Sequence, residues 1–548
     1  MSELHELDSK DGVHESQRDI SREDGRGGVD EDREILARLG KKQVLKRDFG
    51  FLSMLGFALT VLATWEGLLT TFSQGLQNGG PSGLVYGYII VWVATMSSFS
   101  VIAELSSIAP TAGGQYYWVA VLAPASSKKF YSYITGWLTT IAWVAATASG
   151  GYLTGTIIQG LIVLNNMDSY VAEGWHGTLL FWACVFVALF VNTVIGRLLP
   201  AIESLMLVLH VLGFFAILIP LVYMSESGSA ESVFNTFLNE GGWPTQGLSF
   251  CVGMMGCVYS FAGADAAVHM SEEIVKPATN VPRCIATSVI INGALGFGML
   301  LALLFSIGDV DAALNTPTGY PMIEIFQQGV KSNAGASVMA SIAVVLALAS
   351  TTGFIATASR LTWAFARDNG LPFSRWLSKV EKRTLIPINA IIVVTVLPCL
   401  LALINIGSST VFNDVISLAV SGFYASYLVP SALLLWRRMT GGIANATTGS
   451  GMHAIDLTDP ERPQLAWGPW RIPGILGTLN NAFACLWMIF LVFFSFWPPA
   501  VNPSAADMNY AVLVTGAVII FSIFYYLVWG HKTYRGPLVE IEVSGGRS

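Results

Sequence analysis

The sequence predicts an all-α integral membrane protein of about twelve transmembrane helices, arranged as two inverted five-helix halves plus two C-terminal helices, with both ends cytosolic. Three observations lead there. Apolar residues make up 53% of the 548 and charged residues only 12%, with Trp, Phe and Gly plentiful, a balance that suits a polytopic membrane protein better than a soluble enzyme. Runs of roughly twenty apolar residues, each able to cross about 30 Å of hydrocarbon at about 1.5 Å per residue, recur about twelve times. Two of these runs are broken by small and ionisable residues at matching places in two halves of the chain, the pattern from which a secondary transporter builds a midplane site.

Taken in order, residues 1–50 read as a cytosolic tail. As far as about residue 35 the tail is polar, acid-rich and too poor in apolar groups to offset the entropy of ordering, so disorder is expected and no secretory signal is visible. From Ile35 to Gly50, Ile35, Leu36 and Leu39 fall at helical spacing beside Lys41, Lys42, Lys46 and Arg47. That stretch reads equally as an amphipathic segment on the inner membrane face and as a plain basic flank to the first span. Lys10, Lys41 and Lys42 are candidate ubiquitin acceptors.

Spans are expected near 51–74, 84–108, 131–162, 178–196 and 201–224, then 247–271, 285–308, 335–366, 387–405 and 411–436, and last 474–497 and 508–530. Residues 51–224 form the first repeat and 247–436 the second; 474–530 hold the two remaining helices and 531–548 a short cytosolic tail. An odd number of crossings per half turns the second copy upside down relative to the first. With the N-terminus inside, basic residues such as Lys128, Arg197, Arg375, Lys382, Arg437 and Arg471 fall on the cytosolic side and Lys331 alone outside, so an even number of spans satisfies the positive-inside bias. The loop sequon Asn445-Ala446-Thr447 is then cytosolic and out of reach of glycosylation. Six cysteines lie in or beside apolar runs without a CxxC pair, as small buried hydrophobes rather than a disulfide frame or zinc site. The net charge of −7 comes largely from the first fifty positions and the outward loops. Nothing points to nucleic acid, a metal or a bound cofactor, and no nucleotide loop or hydrolase constellation supports an enzyme.

The clearest break lies in the sixth span. Phe261-Ala262-Gly263-Ala264 loosens the helix, and Asp265, His269, Glu272 and Glu273 follow where an uninterrupted span would carry Leu or Val. Such a break is expected only where protein or a water-filled cavity surrounds it. Its echo in the first span is Ala63-Thr64-Trp65-Glu66-Gly67. A helix restarting there presents free N–H groups and its positive end, which stabilises Glu66 as an anion. Beside Trp65, that anion either attracts a substrate ammonium by charge and cation–π contact, or only satisfies those N–H groups or pairs with another helix. Tyr259 and Phe261 are placed to wall the pocket. Asp265 either caps the inner half-helix or supplies a second anionic or proton-coupling carboxylate. Glu272 and Glu273, with Lys276 and Arg283, form either an inner gate of ion pairs or a solvated charged edge. His210, deep in span five, is a candidate proton acceptor or a packing histidine, with Glu203 nearer the inner end as its competitor. Ser350, Thr351 and Thr352 in span eight either hold a sodium ion with freed carbonyls or bond back to their own helix, which leaves proton against sodium coupling open.

Between spans two and three, Glu104 to Trp118 reads ELSSIAPTAGGQYYW. Pro110 and the Gly113-Gly114 pair force a sharp bend, Tyr116, Tyr117 and Trp118 have the character of interface anchors, and a structural or gating role is expected. This loop, the Thr64-Trp65-Glu66-Gly67 break, Gly79-Gly80-Pro81 and the run AVHMSEEIVKPATNVPR together resemble the fungal amino acid/choline transporters of the amino acid–polyamine–organocation superfamily, which includes GABA and choline permeases. The resemblance covers about Ile35 to Tyr534. It implies the five-plus-five inverted-repeat fold and alternating-access transport of a small nitrogenous solute across a plasma or organelle membrane, usually driven by protons. It also implies substrate contacts from the two breaks, here Ala63 to Gly67 and Tyr259 to Asp265. Amino-acid carriers of that superfamily often place Gly-Ser-Gly at the first break to meet a substrate carboxylate. Trp65-Glu66-Gly67 would oppose a bare carboxylate and favours a solute held by its amine or quaternary ammonium end. A carrier of an amine or alkaloid secondary metabolite and a non-transporting nutrient receptor are the alternatives; the short segment after the last span speaks against the receptor.

Overall fold

The computed structural model describes residues 32–407, 409–444, 455–456, 464–505 and 508–540. Among them eleven helices are long and apolar enough to cross a membrane. The first crossing is split into α1 (Phe51–Leu62) and α2 (Thr64–Gln77). Then come α3 (Gly80–Ile108), the short α4 (Gln115–Leu122), α5 (Lys128–Asn165), α6 (Gly174–Thr193) and α7 (Leu199–Met224). The crossing expected at 247–271 is made by no single helix: α8 (Gln246–Tyr259) and the four-residue α9 (Ala266–His269) share it. The second half continues with α10 (Pro277–Phe305), the short α11 (Pro321–Val330), α12 (Asn333–Arg367), α13 (Ile388–Leu401) and α14 (Ser409–Met439), followed by α15 (Gly474–Phe494) and α16 (Ala511–Tyr525). The only sheet among the described residues pairs Ile455–Asp456 with Gln464–Leu465. Lys10 and the Asn445 sequon lie outside the described residues.

The two halves repeat one plan. Each opens on a broken crossing and follows its second crossing with a short helix, α4 in the first and α11 in the second. Equivalent crossings pack on each other: α2 on α8, α3 on α10, α5 on α12 and α6 on α13. An odd number of crossings per half puts α4 at the cytoplasmic face and α11 at the opposite one, so the relation is an inversion. In their most apolar windows the first crossing is 83% buried and the last 17%. The broken span is thus the centre of the protein and α16 its periphery, and freed backbone is kept out of hydrocarbon.

Residues 32–50 differ from the surface-lying segment or plain basic flank read from the sequence. Residues 32–38 are helical, and Leu36, Leu39, Leu45 and Phe49 are buried. Phe49 pairs in parallel with Ile274, donating its N–H to the Glu273 carbonyl at 3.0 Å and accepting from Val275 at 3.0 Å. The apolar stripe finds a protein surface rather than the bilayer, because the inner end of the sixth span is unwound and offers strand-like partners.

Small residues bring the broken crossings together, as tight packing inside a membrane requires. A Cβ built on Gly253 of α8 would stand 1.4 Å from the Asn78 carbonyl oxygen, and one on Gly256 would stand 2.9 Å from that of Thr71. On the inner side Gly56 of α1 would meet the Glu203 carbonyl oxygen at 2.4 Å. We expect Gly253→Val to cost about 3 kcal/mol or more by overpacking, read as a lowered Tm and loss of monodisperse protein in detergent. Gly247→Ala on the same helix, whose Cβ meets nothing within 4 Å, should leave Tm unchanged.

Candidate substrate site and inner gate

Ala63 is where α1 stops. Its backbone is left-handed (φ 41°, ψ 47°), a conformation that costs a non-glycine residue roughly 1–2 kcal/mol. Neighbouring helices take up carbonyls beside the break. Asn292 Nδ2 of α10 donates to the Leu59 carbonyl at 3.0 Å, and Ser350 Oγ of α12 to that of Val61 at 3.4 Å. Opposite, the sixth span unwinds from Ser260 to Asp265 through turn bonds such as Ala262 N–H to Tyr259 O and Ala266 N–H to Gly263 O, both 3.0 Å. Gly263 supplies the positive φ of 94° that this turn needs.

Between the breaks lies a cavity of about 70 Å3, space for about five waters at roughly 10–15 Å3 each. Ala63, Glu66, Gly67 and Thr70 line it from the first span, Tyr259, Ser260 and Ala262 from the sixth, and Phe354 and Phe423 from α12 and α14. Lining positions on α5 run from Ala146 to Ile157 and on α12 from Ala343 to Phe354. With the N-terminus inside, these are the middle and outer parts of each helix.

Glu66 is the one charged side chain in the lining. It is buried, with Oε1 2.7 Å from Nδ1 of His210 on α7. Glu66 Oε2 and His210 Nε2 have no hydrogen-bond partner among the described residues. Trp65 does not reach the cavity; its ring backs the pair, packed on His210 (centroids 5.7 Å) and Phe214 (6.2 Å). Thr64, Phe261, Gly263 and Asp265 are also absent from the lining. Phe261 packs on Tyr88 at 5.2 Å. Asp265 makes no capping bond; it accepts from Gln115 Nε2 at 2.7 Å and from the Tyr427 hydroxyl, with His269 Nε2 at 3.2 Å. In span eight Ser350 turns to the Val61 carbonyl, while Thr351 and Thr352 bond back to Ala347 and Leu348. Glu203 is buried two turns below His210 on the same face of α7.

Ion pairs cluster at the inner end of the sixth span. Glu272 is held in a fork by Arg367 (2.7 and 3.0 Å) and Glu273 by Arg360 (2.7 and 3.3 Å). All four are largely buried rather than set along a solvated edge, whereas Lys276 and Arg283 are exposed. Lys41, itself buried, pairs with Asp368, which also accepts from the Tyr116 hydroxyl at 2.8 Å. Tyr116, Tyr117 and Trp118 are buried in protein and do not serve as interface anchors. Burial, reinforced by the Asp368 carboxylate, holds both phenols well above their ordinary range, so they stay neutral donors. A Cβ on Gly114 would stand 3.0 Å from the His269 ring, and one on Gly113 2.8 Å from that of Tyr116, so the loop presses on α9. Glu104 lies apart from these gate pairs, joining Arg438 of α14 and accepting the Ile472 N–H at 2.7 Å.

A family model described as amino acid permease matches residues 49–518. The chain belongs to the amino acid permease family. The permease is 30% identical over 534 residues to the choline transporter of Saccharomyces cerevisiae, spanning 97% of this chain and 88% of that one. It is 28% identical to amino-acid permease BAT1 of Arabidopsis thaliana, over 92% of this chain and 96% of the relative. Among solved structures its fold is similar to that of the Eremococcus coleocola manganese transporter, with a TM-score of 0.51 at 16% identity over 88% of this chain and 94% of the other. It is a multi-pass membrane protein and a secondary transporter, not an enzyme.

Sequence reasoning passed over Phe354 and Phe423 in the permease's cavity, and the partners of the gate carboxylates. One signal was available: Ala146, Gly150, Leu153 and Ile157 follow each other by four, three and four residues, one face of α5. Arg360 and Arg367 likewise share a face of α12, facing two successive glutamates across the gate. Breaking a buried ion pair costs about 3–5 kcal/mol, and the Glu273–Arg360 pair is largely buried. Glu273→Gln should therefore speed labelling of Ala356→Cys, one turn above Arg360, by a cytosolic thiol reagent. Equal labelling rates with and without the Glu273 carboxylate would remove this pair from the gate.

Proposed function

We propose that the permease carries a small nitrogenous solute held by its ammonium end, and that the proton shared by Glu66 and His210 couples that movement to a proton gradient. The observation behind this reading is a single carboxylate in the wall of an otherwise uncharged, largely apolar cavity. An ionised carboxylate is costly in such a place unless it is answered. An ammonium in the cavity and a proton on the imidazole both answer it. Tyr259, Phe354 and Phe423 add aromatic rings to the lining, which attract a desolvated cation by about 0.5–2 kcal/mol. A substrate carboxylate close to Glu66 would meet repulsion instead. Choline, named in the yeast relative, and amino acids, named in the plant relative, both present the required cationic nitrogen.

Coupling follows from the shared group. While His210 is neutral, the charge of Glu66 is available to the substrate; once His210 is protonated, that charge is held in an internal ion pair. Affinity for the ammonium therefore falls as the pair gains its proton. The proton is favoured as the coupling ion because the titratable His210 stands directly against the cavity's single carboxylate. Alternating access then consists of parting the Glu272 and Glu273 pairs while the outer half of the cavity closes.

The test is uptake of labelled choline, GABA and basic amino acids into proteoliposomes with and without a pH gradient. Accumulation of at least one of them, altered by the gradient, is expected. Glu66→Gln should reduce it about 30-fold or more, the ~2 kcal/mol of a charged hydrogen-bonded contact. His210→Gln should keep uptake but remove most of its response to the pH gradient. Unaltered uptake by the Glu66 variant, or an unaltered response to the gradient in the His210 variant, would sink the proposed coupling.

A further inference from the structure

At the cytoplasmic ends of α14 and α15 lies a second cavity of about 310 Å3, separate from the substrate cavity and sharing no lining residue with it. Its wall carries three arginines, Arg437, Arg438 and Arg471, together with Trp467 and Thr478. Arg438 is pinned in place. It is ion-paired with Glu104, lies 4.4 Å over the Trp467 ring and donates to the Ile472 carbonyl at 3.3 Å. Its Nε is nevertheless buried with no hydrogen-bond partner among the described residues. Arg437 is held by the Leu122 carbonyl at 2.8 Å and stacks over Trp436 at 4.7 Å. Glu104 is the carboxylate seen to face this cluster, and it also supports Arg471 electrostatically.

The surroundings say what kind of anion fits. Beside the arginines, α14 and α15 expose large apolar side chains on the lipid side: Met439 (72%), Ile475 (74%), Leu476 (69%) and Leu479 (59%). A free solvated anion would have no use for such a rim, whereas an amphiphile places its phosphate on the guanidiniums and its chains on the rim. Basic pockets between helices at the cytoplasmic interface suit lipid head groups in this way, and the guanidinium fork matches phosphate geometry. We propose that this cavity binds the phosphate head group of an anionic phospholipid from the inner leaflet, with its acyl chains along Ile475, Leu476 and Leu479. Through Glu104 and the Ile472 N–H, the bound lipid braces the inner ends of α3, α14 and α15.

The test uses the full-length permease in nanodiscs of phosphatidylcholine with or without phosphatidic acid, read by lipid retention in native mass spectrometry and by Tm. Phosphatidic acid should be retained preferentially and raise Tm with its content. Arg437→Gln with Arg471→Gln should weaken retention about 30-fold, about fivefold per arginine, whereas the matching double Lys variant should keep most of it. Ile475→Ser with Leu476→Ser leaves the arginines in place and should also weaken retention. Equal retention by wild type and the Gln variant, or no preference over phosphatidylcholine, would overturn the proposal. So would glycerol phosphate raising Tm as much as phosphatidic acid, since that outcome assigns the cavity to a free anion.

Discussion

A main chain inside a bilayer has no water to bond, and each N–H or C=O left without a partner there costs several kcal/mol. The permease interrupts two of its crossings, so the rest of the fold has to supply what those interruptions lose. It does so by placing the broken crossings at the centre, where Ser350 reaches the Val61 carbonyl and Asn292 adds a second donor to that of Leu59, which already accepts the Ala63 N–H. The sixth span keeps part of its own bonding as tight turns. Small residues complete the arrangement, since Gly253 and Gly256 let α8 lie against the backbone at Asn78 and Thr71. The remaining spans form a wall that keeps hydrocarbon away from this centre.

The same low dielectric that penalises free backbone governs the gate. Glu272, Glu273, Arg360, Arg367, Lys41 and Asp368 are removed from water together, so their desolvation penalty offsets much of the attraction between them. A network balanced this way is a weak source of stability, and rehydration would compensate the ions if they parted. Segments near both ends of the described chain join this network. Leu538 N–H donates to Asp368 at 2.9 Å, Lys42 N–H to Glu540 at 2.9 Å, and Glu540 N–H to the Gly40 carbonyl at 2.7 Å. These contacts tie residues 40–42 and 538–540 to the inner ion pairs of the bundle.

The spans and both breaks were legible in the sequence because hydrocarbon thickness and backbone satisfaction act locally, on runs of residues. What local pattern could not give was direction. Trp65 and Glu66 are neighbours in sequence, yet a helix turns successive side chains about 100° apart, so Glu66 meets the cavity and Trp65 meets Phe214. The pairing of Glu66 with His210 joins residues 144 positions apart, and that of Lys41 with Asp368 residues 327 apart. Residues 36–49 were misjudged for a related reason: an apolar stripe beside lysines has the same pattern whether it covers lipid or protein, and Lys41 had to meet Asp368 for the second to prevail.

Asp265 shows how the cavity and the gate are mechanically joined. It follows directly on the turn whose Ala262 lines the cavity, and its carboxylate is shared among Gln115 of α4, Tyr427 of α14 and His269 of α9. His269 in turn has Nδ1 2.9 Å from the Ala112 carbonyl, so both its nitrogens face oxygen acceptors. The ring is thus held between the carboxylate and the Ala112 carbonyl, and the loop that carries Ala112 cannot shift without disturbing it. The Ala112 N–H lies 3.4 Å from Glu272, itself in the fork of Arg367. The turn at Ala262 and Gly263 is thus joined, through Asp265, His269 and the loop at Ala112, to the ion pair of Glu272 and Arg367 by a chain of hydrogen-bonded groups. This is a contiguous physical connection between the cavity wall and the inner ion pairs, and it gives Asp265 a reason to be buried although it does not line the cavity.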